Sequence, residues 1–266
     1  MEMLIQRGTP TSADVFLVDV SGQIVRQLTS GPGIKAPVGA SPDGSEFAYR
    51  VESPDGTHLP DSEVGIFIQD MASGSQWSLY ERTGVWGHVA TWSPDATLIA
   101  FDGQTSLEGG ALAQLYVVDR DGSDLRLLSP SGVDDEYPAW SPNGDVIAFH
   151  RPVSGDDFLL HVVRPDGSGD RELTHGARGD EWPMWSPDGA RIAFQSHEGI
   201  SILELATGTS GLLIPADEGG VPGAWAPADL IAFACLGGAW ICVADPDNAV
   251  PRIAVEGNFP IWIRGG

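Results

Sequence analysis

The sequence predicts an all-β fold, a six-bladed β-propeller built from four-stranded antiparallel blades. Three observations carry that prediction. A short phrase recurs five times, at spacings of 52, 48, 45 and 40 residues. An apolar triplet with a central alanine follows every copy. Glycine and proline, 34 and 20 residues, make up a fifth of the chain, while apolar residues still supply 42%. That is the composition of many short strands joined by tight turns around a full core.

The phrases are Ser41-Pro42-Asp43-Gly44, Ser93-Pro94-Asp95-Ala96, Ser141-Pro142-Asn143-Gly144 and Ser186-Pro187-Asp188-Gly189, with a degenerate copy at Ala226-Pro227-Ala228-Asp229. Trp92, Trp140, Trp185 and Trp225 precede four of them. Asp-Gly and Asn-Gly accept the positive φ of tight hairpins, so each phrase reads as strand, turn, strand. The triplets are Phe47-Ala48-Tyr49, Ile99-Ala100-Phe101, Ile147-Ala148-Phe149, Ile192-Ala193-Phe194 and Ile231-Ala232-Phe233. They are apolar on both faces, as strands between stacked sheets are, and the alanine lets a neighbouring sheet come close. A second hairpin follows, as in Leu115–Asp119 with its turn at Asp121-Gly122, and ends in a fourth strand such as Arg126-Leu127-Leu128. Four strands per unit of ~40–50 residues define a propeller blade. Five units run from about residue 37 to 255. Phe259-Pro260-Ile261-Trp262 matches Tyr137-Pro138-Ala139-Trp140 and supplies a first strand. Met3–Gln6, Val15–Val20 and Ile24–Leu28 supply the second, third and fourth. One C-terminal and three N-terminal strands thus close a sixth blade, making residues 1–266 a single domain without open edges.

Trp-Ser-Pro-Asp-Gly, an Ile-Ala-Phe strand, an apolar strand ending near Asp-x-Asp-Gly and a closing Leu-Thr together resemble the TolB-like propeller repeat of the WD40-like, PD40 family. The resemblance spans nearly the whole chain. It implies a six-bladed bacterial domain that serves as a protein-interaction platform, commonly outside the cytoplasm. The N-terminal domain that TolB also carries has no counterpart here, so the resemblance is to the propeller alone. The N-terminus, Met1 to Arg7, has no signal-peptide character, and a periplasmic or extracellular site implies that a leader was removed.

Formal net charge is −23, which argues against nucleic acid and against an anionic membrane surface. Cations or basic segments of other proteins suit that charge. The longest uncharged apolar run, Leu230 to Ala244, is interrupted by Gly237-Gly238 and is shorter than the ~20 residues of a membrane span. No G-x-S-x-G, H-E-x-x-H or P-loop occurs, and the histidines are scattered. Asp119-Arg120-Asp121-Gly122-Ser123-Asp124 reads as a hairpin turn, without the twelfth-position acid of a calcium loop. Cys235 and Cys242 flank a hairpin. A two-residue turn at Gly238-Ala239 sets them opposite each other, compatible with a disulfide or with two buried thiols.

The function these features favour is non-enzymatic binding of a protein or peptide of basic character by a monomeric propeller. The alternative is a divalent-metal-dependent lyase or hydrolase. Two places on one face are candidates. The first comprises the long loops of the first three blades, Glu52–Val64, Asp102–Gln114 and His150–Phe158, carrying His58, Asp61, Glu63, His150, Arg151, Asp156 and Asp157. The second is the mouth of the central channel, ringed by residues just before each first strand. Counting two back from the proline or its equivalent gives Lys35, His88, Glu136, Glu181, Gly220 and Asn258. His88, Glu136, Glu181 and Asn258 carry donors for one divalent ion (Ca²⁺, Mn²⁺ or Zn²⁺), with Asp135 and Asp180 placed for supporting hydrogen bonds. Lys35 across the ring is the alternative counter-charge.

Overall fold

The structure, a computed structural model, describes residues 2–9, 11–19, 21–53, 65–106, 112–129, 132–154, 157–176, 179–217, 222–226, 229–235, 240–256 and 258–263. The chain opens with β1 (Glu2–Thr9), β2 (Ser12–Asp19) and β3 (Ile24–Gln27). Next come β4 (Ile34–Ala40), β5 (Glu46–Glu52), β6 (Gly65–Asp70), β7 (Gln76–Ser78) and a single helical turn, α1 (Leu79–Thr83). Four further sets of four follow. They are β8 (Trp86–Trp92), β9 (Leu98–Gln104), β10 (Gln114–Asp119) and β11 (Arg126–Leu127); then β12 (Glu136–Trp140), β13 (Ile147–Ser154), β14 (Asp157–Val163) and β15 (Arg171–Glu172). After these lie β16 (Glu181–Trp185), β17 (Arg191–Ser196), β18 (Gly199–Glu204) and β19 (Thr209–Pro215), then β20 (Pro222–Ala226), β21 (Leu230–Cys235), β22 (Trp240–Asp245) and β23 (Asn248–Glu256). The last strand is β24 (Asn258–Ile263). Among the described residues no helix is long and apolar enough to cross a membrane.

The fold is an all-β propeller of four-stranded antiparallel blades. β8–β11, β12–β15, β16–β19 and β20–β23 are separate four-stranded sheets. The other eight strands form one sheet, so hydrogen bonding defines five sheets where the sequence predicts six. The cause is local. Ala13 of β2 pairs in parallel with Ile34 of β4, and this bridge merges β24-β1-β2-β3 with β4–β7. β24 pairs antiparallel with β1, Met3 lying opposite Trp262, so the two ends of the chain are stitched together.

The triplets lie in the first halves of β5, β9, β13, β17 and β21, and all fifteen residues are buried. Alternation sends their side chains to opposite faces. Each alanine packs toward the following blade, whose two large triplet residues meet it: Ala48 shares a cluster with Ile99 and Phe101, Ala100 with Ile147 and Phe149, and Ala148 with Ile192 and Phe194. Ala193 shares one with Ile231 and Phe233, Ala232 with Met3 and Ile5, and Leu4 of β1 with Phe47 and Tyr49.

The recurring phrase is a self-satisfying turn. Ser41 Oγ donates to Asp43 Oδ1 (2.6 Å) and accepts from the Glu46 amide (2.9 Å), while Asp43 Oδ1 also accepts from the Ser45 amide (3.0 Å). Ser93–Asp95 and Ser186–Asp188 repeat the 2.6 Å bond, whereas the neutral Asn143 accepts from Ser141 at 2.8 Å. A charged acceptor shortens the bond. Gly44, Gly144 and Gly189 take positive φ in this turn, and Ala96 is held there as well, at φ 59°.

Two local expectations need correction. Cys235 and Cys242 do form a disulfide, with Cα atoms 5.8 Å apart, but they are not opposite each other. Cys235 pairs with Trp240 and Cys242 with Phe233, so the bond runs diagonally between strands whose connection is two residues longer than the turn expected at Gly238-Ala239. The segment His150–Phe158 is mostly strand, with His150 and Arg151 on β13 and Asp157 opening β14. His58, Asp61, Glu63 and Asp156 lie outside the described residues.

The serine hydroxyls hold Asp43, Asp95 and Asp188 below the usual carboxylate range. A carboxyl depressed in the folded chain contributes stability that is complete above the unfolded pKa of ~3.9 and is lost as pH falls through the folded value. The Asp43→Asn/Asp95→Asn/Asp188→Asn variant is therefore expected to lose less of its urea midpoint than wild type between about pH 5 and about pH 3. Equal slopes would place the acid sensitivity elsewhere.

Gly39 tests the crowding of the inner strands, because a Cβ there would overlap the Ala90 carbonyl of β8. Gly39→Ala is expected to cost about 1–3 kcal/mol in urea unfolding. Gly211→Ala, with open space around it, should change stability by under ~0.5 kcal/mol. Similar values for the two would remove the steric argument.

Candidate functional site

The six innermost strands, β4, β8, β12, β16, β20 and β24, touch one another in that cyclic order and enclose a central cavity of about 430 Å³. Its wall is largely proline, tryptophan and small residues, including Pro138, Trp140, Pro183, Trp185 and Trp225. Arg50, Tyr137 and Trp182 also line it. Each inner strand slips register against its neighbour in the blade, as between Gly87 and Val89, Glu136 and Ala139, or Glu181 and Met184. Such bulges re-aim side chains. Tyr137 and Trp182 occupy them at φ 56° and 52°, in the left-handed region, and their rings meet edge-on at 5.6 Å.

The bulges decide which predicted residues reach the mouth. Glu136 pairs with His150, and Glu181 with Gln195. In β4 the residue in the equivalent register is Ala36, opposite Arg50, and not Lys35. Pro37 stands four residues before Ser41, whereas Pro138 and Pro183 stand three before Ser141 and Ser186. Counting from the proline therefore overshoots by one, and a one-residue slip turns a strand side chain to the other face. Lys35 is buried and directed elsewhere, its Nζ donating to the Gly31 and Pro32 carbonyls (2.9 and 2.8 Å) and lying 3.3 Å from Asp14. Gly220 lies outside the described residues. Asn258 pairs through its backbone with Gln6, and its side chain is outside those described.

Asp135, expected to support Glu136, is fully buried and clamped by Arg151 instead, Nε to Oδ1 at 2.6 Å and Nη2 to Oδ2 at 2.8 Å. Arg151 extends the chain to Asp170 at 2.9 Å. Asp180 is also buried, and its backbone amide donates to the Phe158 carbonyl at 3.1 Å.

His88 and Glu136 do converge, and Asp102 of β9 joins them. Ligand atoms of His88, Asp102 and Glu136 all lie within 4.8 Å of one another. Asp102 is fully buried; its Oδ1 accepts from the Val89 amide at 2.8 Å, and Oδ2 stands 3.6 Å from His88 Nδ1. The contact with Asp102 raises the His88 pKa above its ordinary value against the effect of burial; the charges of Asp102 and Glu136 add to the rise, and Arg50 subtracts from it. Glu136 is held below the usual carboxyl range by its hydrogen bond with His150, again against burial. Because His150 Nδ1 accepts from the Trp182 amide (3.3 Å), its Nε2 carries the proton directed at Glu136 (3.5 Å).

Sequence reasoning missed Asp102 and the buried role of His150, although a signal was present. The residue directly after the triplet is polar in four blades, as Arg50, Asp102, His150 and Gln195. These second-strand residues lie beside the first-strand residues of the mouth.

Among curated proteins, the uncharacterized peptidase YuxL of Bacillus subtilis (strain 168) is 40% identical over 109 residues, covering 40% of this chain and 16% of that protein. The chain thus spans about a sixth of that relative's length. Among solved structures, TolB from Acinetobacter baumannii superposes with a TM-score of 0.77 at 19% identity, covering 98% of this chain and 66% of that one. A protein assigned as TolB from Agrobacterium tumefaciens gives 0.73 at 18% identity, covering 97% and 91%. At these identities the likeness is one of fold. The family described as TolB beta propeller domain, PD40, matches residues 51–228, two thirds of the sequence, and the chain belongs to that family.

Proposed function

We propose that this protein is a non-enzymatic binding propeller which takes a segment of a partner protein at the channel mouth. One observation carries the reading. Arg50 Nε and the indole Nε1 atoms of Trp92, Trp140 and Trp182 are buried without hydrogen-bond partners among the described residues, and all four residues line the apolar cavity. Buried polar groups are normally satisfied, so exceptions on the residues that wall a cavity point to a ligand that completes them. The cavity volume of about 430 Å³ falls within the ordinary range of binding pockets. Acidic groups at the mouth and a net charge of −23 favour a basic segment.

In this reading residues 1–266 form one six-bladed domain. The cyclic contacts of the six inner strands and the six interblade clusters support counting the eight-stranded sheet as two bridged blades. The Cys235–Cys242 disulfide supports an oxidising compartment, periplasmic or extracellular.

The test uses a fluorescein-labelled, unstructured peptide rich in Arg and Pro, titrated with the protein in EDTA and followed by anisotropy. Wild type is expected to bind saturably, more weakly as salt rises. Glu136→Gln/Glu181→Gln should weaken binding about tenfold or more. Absence of saturable binding, or equal binding by the variant, would reject the reading.

A further inference from the structure

We infer that His88, Asp102 and Glu136 form a binding site for one divalent transition-metal ion, set where blades two and three meet at the channel mouth. The three residues come from separate strands, β8, β9 and β12, and offer one imidazole nitrogen and two carboxylate oxygens within 4.8 Å of one another. Donors ~2.0–2.2 Å from one Zn²⁺ stand no more than ~4.4 Å apart, so a small inward adjustment of the three side chains seats a single ion among them. An independent observation points the same way. Asp102 is 0% exposed, and its Oδ2 makes no hydrogen bond within 3.5 Å, its contact being the 3.6 Å approach of His88 Nδ1, another member of the ligand set. A buried carboxylate oxygen left in this state is costly, and a metal ion satisfies it directly.

The surroundings are those of a supported ligand set. The Val89 amide fixes Asp102 through Oδ1, and His150 Nε2–H is directed at Glu136 Oε2. His150 is in turn set by the Trp182 amide from the adjoining blade. Each carboxylate thus has one oxygen engaged by a protein hydrogen bond and a second oxygen to offer, the arrangement by which outer groups orient metal ligands. The nearby cation, Arg50, is ion-paired to Glu52, which tempers its repulsion of a metal. One imidazole with two carboxylates suits Zn²⁺ or Mn²⁺ and falls short of the six to eight oxygens that Ca²⁺ takes. The inference rests on this geometry alone and stands whether or not a peptide binds at the mouth.

The experiment is isothermal titration of metal-stripped full-length protein with Zn²⁺, Mn²⁺ and Ca²⁺, in the absence of peptide. The expected result is one Zn²⁺ per chain, bound more tightly than Mn²⁺, with Ca²⁺ weakest. His88→Ala and Glu136→Gln change half-buried residues and should each weaken Zn²⁺ at least tenfold, while Asp124→Asn, on an exposed turn, leaves it within about twofold. Asp102→Asn tests the buried oxygen, its folding checked by circular dichroism. Because that variant can unfold, the visible spectrum of wild type loaded with Co²⁺ is a second readout. The expected spectrum is that of mixed nitrogen and oxygen ligation, and it should be lost in His88→Ala. Failure to bind any of the three ions stoichiometrically, Ca²⁺ binding tighter than Zn²⁺, or unchanged affinity in His88→Ala and Glu136→Gln would each overturn the site.

Discussion

The whole ring depends on one packing arrangement: a small residue at the centre of each blade facing two large ones on the next. Stacked sheets sit about 10 Å apart only when their facing side chains interdigitate. Ala48, Ala100, Ala148, Ala193 and Ala232 leave that room, and the paired Ile and Phe residues, or Met3 and Ile5 at the fifth joint, fill it. Burying each large side chain contributes about 1.5–3 kcal/mol, so the joints hold most of the stabilising energy and the hairpin turns hold geometry. The joint between β1 and β5 departs from the rule, with Leu4 in the alanine position against Phe47 and Tyr49. At that same joint Ala13 and Ile34 pair across the blades. A different contact surface and a different hydrogen-bonding arrangement thus coincide where the chain ends are brought together.

Sheets that pack this tightly at mid-radius must crowd at the axis. Gly39 against Ala90 and Gly223 against the ring of Pro260 are places where even a Cβ does not fit. The inner strands relieve the crowding through bulges, and the bulges turn residues such as Tyr137 and Trp182 to line the cavity. The same distortion brings first-strand and second-strand side chains together at the mouth, so the site is a by-product of closing the ring.

This explains why the fold was readable in the sequence and the site only partly so. Turn, triplet and spacing repeat because every blade solves the same packing problem, and a repeated solution is visible without alignment. Bulges have no such signature. Pro37 marks the strand and so points to Lys35 at the mouth, yet the bulged register places Ala36 there. His88 and Glu136 were found because their offset from the repeat is regular. Asp102 escapes that offset, because its position follows the triplet on the second strand and does not precede a first strand. The diagonal disulfide shows the same limit, since Cys235 meets Trp240 across the ladder and the length of the connection, not the composition of the turn, sets that pairing.

Asp102 and Asp135 show two different ways in which this molecule holds a buried acid. Both are 0% exposed. Asp102 lies on β9, and Asp135 stands immediately before β12 of the next blade. Asp135 has both oxygens taken by the Arg151 guanidinium in a forked pair, which is how a buried carboxylate is usually made tolerable. Asp102 has one oxygen on a backbone amide and the other without a hydrogen bond. The fold can satisfy a buried acid completely, as Asp135 demonstrates, so the condition of Asp102 is no general consequence of burial at this radius. The unsatisfied oxygen borders His88 and Glu136, the two mouth residues whose protonation equilibria are themselves displaced. Several local departures from the repeat thus fall on neighbouring residues, and the proposed metal site rests on that coincidence.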